Sequence, residues 1–216
     1  MAKLYVSNKD ESARLFQSRF LELFTHVHWS VPIIVYLPVV VYALWIAPGG
    51  GAIDPTGLVL EFVAGLFVWT LTEYLLHRFV FHYEPTSSWG KRLHFLMHGV
   101  HHDYPQDSKR LVMPPVVSIP LAALFLGLFM LVLPEGYVAA VFAGFIFGYI
   151  CYDEIHYATH HAPMKGTVGL WLKHHHVRHH YLDNGRGFGV STPLWDYVFG
   201  TMYGEKEEIQ VDDKGA

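Results

Sequence analysis

Leu111 to Leu133 runs 23 residues without a charged side chain. A bilayer core about 30 Å thick is crossed by roughly 20 apolar helical residues. This stretch therefore reads as a transmembrane helix. Three further stretches share its character. Val27 to Ala47 carries no charge, Gly57 to Val80 is apolar except for Glu61, Glu73, His77 and Arg78, and Gly136 to Tyr152 is again uncharged. The last reaches spanning length if its helix continues through Asp153 and Glu154. Charged residues make up only 16% of the chain and hydrophobic residues 52%, where soluble domains carry roughly 25% charge. Two uncharged runs of this length are more apolar surface than one small soluble domain covers. The reading is an all-α integral membrane protein with four transmembrane helices.

The basic residues set an orientation. In a four-span arrangement all 15 Lys and Arg residues fall on one side, and the turns "PGGGAIDPT" and "PEG" on the other side hold none. The positive-inside rule makes the basic side cytoplasmic, with both termini there. Residues 1–26 form a polar, amphipathic N-terminal segment without the features of a cleaved signal. Within it, Phe16 to Phe24 is expected as a helix along the membrane surface. Residues 27–204 form the membrane domain, and 205–216 a charged tail. The lone Cys151 excludes an intramolecular disulfide and any cysteine-based metal site. The basic residues are scattered, so no nucleic-acid partner is expected.

Every histidine falls on the basic side in this arrangement, most of them at the end of the second and fourth spans or just after. "HFLMHGVHHD" and "KHHHVRHH" each hold an H-x-x-H-H pattern, and the two form a weak internal repeat. Residues three and four apart share a helical face. By this spacing His98, His101 and His102 converge on one point, His176, His179 and His180 on another, and His156 pairs with His160. His77 and His82 are five apart, and converge only if the helix ends or bulges between them. Neutral imidazole is the commonest protein ligand of zinc, iron, copper and nickel. Ten phased imidazoles suit two ions with about five each, in a cytoplasmic His-rich dimetal cap. His94 is placed behind the ligands, and His161, His174 and His175 are out of phase. His26 and His28 read as core or interface residues. Asp153 lies one helical turn before His156, so it is positioned to orient that ligand. Glu61 and Glu73 are assigned to Arg78 or to a backbone group.

"HRFVFH", "HFLMHGVHHDYPQDSKRLVMPP", "YDEIHYATHH" and "KHHHVRHHYLDNGRGFGVSTPLWDYVFGT" resemble the membrane fatty acid hydroxylase and sterol desaturase superfamily, in particular its fatty acid 2-hydroxylases. The resemblance covers about Gly57 to Gly204. It implies metal ligation by His77, His82, His98, His101, His102, His156, His160, His176, His179 and His180. It also implies roles beside the metals for Tyr152 and Asp153. The cofactors implied are two iron ions, replaceable by zinc in purified protein, with O₂ as co-substrate. The reaction implied is hydroxylation of a lipid acyl chain at C2. A carotenoid- or sterol-type oxidase is the alternative within the superfamily, and a His-rich metal transporter or buffer the alternative outside it. Yeast and animal members carry a fused heme domain, for which the 26 residues before the first span are too few. A separate electron-donor protein is therefore expected, and a bacterial inner membrane rather than an endoplasmic reticulum. Arg110 and the Gly187 to Gly189 loop are expected to bound a head-group pocket.

Overall fold

The computed structural model describes residues 4–47 and 55–204. Residues 1–3, 48–54 and 205–216 lie outside the described residues, and so do the expectations placed on them. Each apolar stretch becomes a helix, and no strand occurs among the described residues. In chain order these are α1 (Arg19–Leu23), α2 (Val31–Ile46), α3 (Pro55–Leu76), α4 (Ser88–His94), α5 (Val100–Asp103), α6 (Pro115–Val132), α7 (Glu135–His161), α8 (Gly166–Tyr181) and α9 (Leu194–Val198). Two π-turns interrupt them. His77–Phe81 continues α3, and Phe95–Gly99 joins α4 to α5.

Among the described residues, three helices are long and apolar enough to cross a membrane: Pro55–Phe81, Pro115–Val132 and Glu135–His161. α2 is equally apolar but has 16 residues, about 24 Å at 1.5 Å per residue. It starts late because His28 to Ser30 form a turn before Pro32 enters the first helical turn. α7 runs 27 residues, through Asp153 and Glu154 as expected. On α6 and α2 large apolar side chains point outward, Leu131 at 83% exposure and Trp45 at 75%. Such a surface is stable in lipid, and the chain is a membrane protein.

α7 is the axis of the bundle. Its small residues admit α3 at backbone contact. A Cβ added to Gly65 would stand 1.9 Å from the Val141 carbonyl oxygen, and one added to Gly144 would stand 1.9 Å from that of Phe62. This reciprocal seam is the close approach that small residues permit between membrane helices. Below it, the Trp69 ring packs on Phe145, Tyr149 and Tyr152 at centroid distances of 5.2, 5.4 and 5.8 Å. α6 joins through Phe125, 4.7 Å from Phe145. α2 joins through Tyr36, whose ring meets Tyr149 at 5.1 Å and whose hydroxyl lies 2.8 Å from Ser118 Oγ on α6.

The N-terminal segment departs from expectation. The helix predicted over Phe16 to Phe24 shrinks to the five residues of α1, capped by the Ser18 hydroxyl. The Glu22 carboxylate accepts the backbone N–H groups of Leu15 and Phe16, which holds that part of the chain in a loop. Upstream, the segment straps across the cap. Val6 and Ser7 donate to the Asp103 carbonyl, Ser12 to Asp107, and Ser108 N–H to Asp10.

Candidate metal centre

The ten phased histidines meet at one end of the bundle, in two groups. One is His77, His82, His98, His102 and His179; the other is His101, His156, His160, His176 and His180. Within each group the ligand nitrogens all lie within 4.8 Å of one another. His77 and His82 are brought together by the π-turn. His82 N–H donates to the His77 carbonyl at 3.1 Å, an i→i+5 bond that returns the fifth residue to the face of the first.

The expected convergence of each H-x-x-H-H pattern on one point is incorrect. His98 and His102 serve the first group, while His101 between them serves the second. His176 and His180 serve the second group, while His179 serves the first. Neighbouring helical residues are about 100° apart. A helix lying between two centres therefore offers i and i+4 to one and i+3 to the other. The two halves of the chain each give four histidines to one group and exchange a single one, His101 for His179.

The donor geometry fits metal ions. Two nitrogens bound to one ion at about 2.1 Å and at right angles stand about 3.0 Å apart. His98 Nε2 lies 3.1 Å from His77 Nε2 and 3.0 Å from His102 Nε2; His176 Nε2 lies 3.0 Å from both His160 and His180 Nε2. Between the groups' other members, His179 and His82 are 3.0 Å apart and His156 and His101 2.8 Å. Three of the rings are fixed with a lone pair inward. His77 Nδ1–H donates to the Phe188 carbonyl at 2.6 Å, His179 Nδ1–H to Arg186 at 2.7 Å and His156 Nδ1–H to Leu111 at 3.1 Å. In a neutral ring the other nitrogen is then a lone pair, and these lone pairs point inward. Burial, reinforced by the neighbouring histidines, holds His98, His101, His176, His179 and His180 well below the ordinary imidazole pKa, and His102 at about 3. Neutral donors facing one another at this spacing suit cations.

The remaining histidines lie elsewhere. His94 is half-buried outside both groups, and His161 is likewise outside them. His174 is exposed. His28 is exposed and bonded to Ser30, so it is not a core residue; His26 is half-buried, 3.0 Å from Arg110. His175 is buried, and its Nε2–H donates to Asp196 Oδ2 at 3.2 Å. Asp153 does not hydrogen-bond to His156: its carboxylate accepts the Met113 N–H at 3.3 Å, and the partner of His156 is the Leu111 carbonyl. Glu73 takes the backbone option and binds the N–H groups of Val190 and Ser191. Sequence reasoning missed Asp196. Its one signal was an acid in the otherwise uncharged "STPLWDYVFGT".

A cavity of about 490 Å³ opens beside both groups. His98 of the first and His101 and His156 of the second reach its wall, with Tyr152 and Asp153 next to them. The rest is mostly apolar, from Phe16 and Phe24 at the N-terminal strap to Met113 and Val117 at the start of α6. Arg110 also lines it, but its guanidinium is occupied by Glu22 at 2.6 Å and Asp107 at 3.1 Å. The Gly187–Gly189 loop lies behind the first histidine group and takes no part in the wall, so the expected head-group role does not fall to it.

A family model described as fatty acid hydroxylase matches residues 62–201. A dihydroceramide fatty acyl 2-hydroxylase of Arabidopsis thaliana is 41% identical over 198 residues, which cover 91% of this chain and 82% of the relative. Fatty acid 2-hydroxylase of Homo sapiens is 41% identical over 219 residues, covering 91% of this chain and 58% of the relative. A solved structure described as full-length scs7p with only the hydroxylase domain visible superposes with a TM-score of 0.82 at 42% identity, covering 89% of this chain and 73% of that one.

Proposed function

This chain belongs to the fatty acid hydroxylase family, and on that premise we propose that it hydroxylates C2 of a lipid acyl chain, using O₂ and two iron ions held by the two histidine groups. The observation that carries the reading is the apolar cavity walled by histidines of both groups. A volume of about 490 Å³ falls within the 300–1,000 Å³ usual for small-molecule sites. His77, His82, His98, His102 and His179 would hold one ion, and His101, His156, His160, His176 and His180 the other.

Bound iron would supply O₂ activation. One oxygen atom enters a C–H bond and the other leaves as water, with two electrons and two protons delivered from a separate donor protein. The chain's own residues bind and register the substrate. Leu111, Met113, Val116 and Val117 grip the alkyl chain and exclude water. Tyr152 stacks at 5.8 Å on His156 and lines the cavity beside it, steadying that imidazole against the substrate space. Asp153 acts through the backbone: by holding Met113 N–H it fixes the segment whose Leu111 carbonyl orients His156. Arg110 braces the wall through Glu22 and Asp107.

The proposed topology has four spans with the histidine cap on the cytoplasmic side. Exposed Trp29 and Trp45 flank α2, as interfacial aromatics flank a spanning helix. The relatives named above are eukaryotic, and they give no support to the expected bacterial inner membrane. Lipid mass spectrometry of cells expressing wild type and His98→Ala tests the reaction. The expected result is 2-hydroxylated acyl species with wild type only. Equal profiles, or oxidised carotenoids or sterols instead, would sink the proposal.

A further inference from the structure

Two buried carboxylates take no part in the reaction sketched above. Glu73 is 3% exposed in α3, and Asp196 is fully buried in α9. Both face the loop that runs from Arg186 to Ser191. Its five consecutive backbone N–H groups are all turned away from the histidines. Gly187 donates to the Thr201 carbonyl at 2.9 Å. Phe188 and Gly189 donate to Asp196 at 2.9 and 2.8 Å. Val190 and Ser191 donate to Glu73 Oε1 at 2.6 and 2.8 Å, and the Ser191 hydroxyl donates to its other oxygen. Asp196 is itself fixed by the Thr201 hydroxyl at 2.6 Å and by His175 at 3.2 Å.

With the amides turned outward, carbonyls of the same loop face inward. Phe188 accepts from His77 and Arg186 from His179. Both imidazoles belong to the first group. In the second, the outer nitrogens of His101, His176 and His180 have no hydrogen-bond partner among the described residues, and His156 uses Leu111 instead. We infer that Asp196 and Glu73 are positioning residues for the first metal alone: they clamp the 186–191 loop so that its carbonyls fix the tautomer and aim of His77 and His179. The anionic Asp196, joined to the ligands through the loop backbone, suits this task. Carboxylate acceptors bind amide N–H groups about twice as strongly as neutral ones. His175, which spacing sets apart from the ligands, acts here as the donor that completes Asp196.

The inference rests on the two-ion reading, and the test separates the two. Cobalt(II) is titrated into metal-free, full-length protein in detergent against a competing chelator, using the monodisperse fraction. Wild type is expected to take two ions; one ion or none would break the two-ion reading itself. Loss of an outer partner typically weakens a metal site about 10–100-fold. Asp196→Asn should weaken one ion by that factor and shift its cobalt absorption bands, leaving the other ion unchanged. In a His160→Ala background, where the second site is disabled, Asp196→Asn should weaken the remaining ion. In a His77→Ala background it should not. Two tight ions in Asp196→Asn, or equal losses in both backgrounds, would overturn the clamp. If Asp196→Asn yields no monodisperse protein, Glu73→Gln carries the same asymmetric expectation with a smaller shift, and symmetric or absent change there overturns it equally.

Discussion

In the first histidine group two imidazoles lean on one loop, His77 on Phe188 and His179 on Arg186. In the second only His156 has an outer acceptor, Leu111, on the opposite side of the cap. The first group includes the half-buried His82; every member of the second is buried. One site is aligned from outside by hydrogen bonds. The other relies more on confinement, its imidazoles packed between α5, α7 and α8. A site built by confinement tolerates little change in volume, whereas a hydrogen-bonded one responds to changes in distant charge. The exchange of His101 for His179 ties the two together.

The sharpest way to break this comparison is through the exchanged histidines. His101→Ala and His98→Ala should remove different metals, although both lie in one short segment. His179→Ala should remove the metal that His98→Ala removes, and His176→Ala the other. Each should lower activity on the order of 100-fold or more, beyond the loss from an outer partner. Metal content per chain with cobalt spectra decides it; matched losses for His98 and His101 would restore the single-point picture.

Acid should act on both groups alike. Burial lowers His102 of the first to about 3 and holds His101 and His176 of the second well below ordinary values. An unfolded histidine titrates near about 6.5. The unfolded state therefore binds more protons between those values. Metal-free protein should keep full stability above about pH 6.5 and lose it progressively as pH falls toward 3. Thermal melts across this range read the slope; a flat profile would mean the imidazoles are not held neutral.

The smallest contrast lies within "KHHH". His175→Ala leaves one side of buried Asp196 without its donor and should cost about 1–3 kcal/mol, with the first metal weakened. His174→Ala touches an exposed ring and should alter neither melting nor metal content. Equal effects would mean that Asp196 does not need His175.

The membrane helices were legible because uncharged runs are a coarse signal that needs no partner to interpret. The ten histidines were legible for a similar reason: their phase is local. Which ion each serves was not, since the same spacing fits one centre on a helix face or two centres astride it. The π-turn at His77–Phe81 was legible only as a requirement. Glu73 and Asp196 find their partners 117 and 7–8 residues away, and no periodicity reports pairings of that kind. The cavity is assembled from the N-terminal strap, the π-turn at Phe95–Gly99, α6 and α7, so it exists only in the folded chain.

The glycine seam between α3 and α7 has a consequence for assembly. Gly65 and Gly144 meet backbone alone, and neither touches a histidine. That contact can form in the bilayer before any ion arrives. The same two helices carry His77 at the end of one and His156 and His160 at the end of the other. Insertion and helix pairing thus deliver part of each donor set as a ready scaffold. Loading of a metal ion would then follow from the aqueous side, onto a chain whose helix pairing already holds part of its shape.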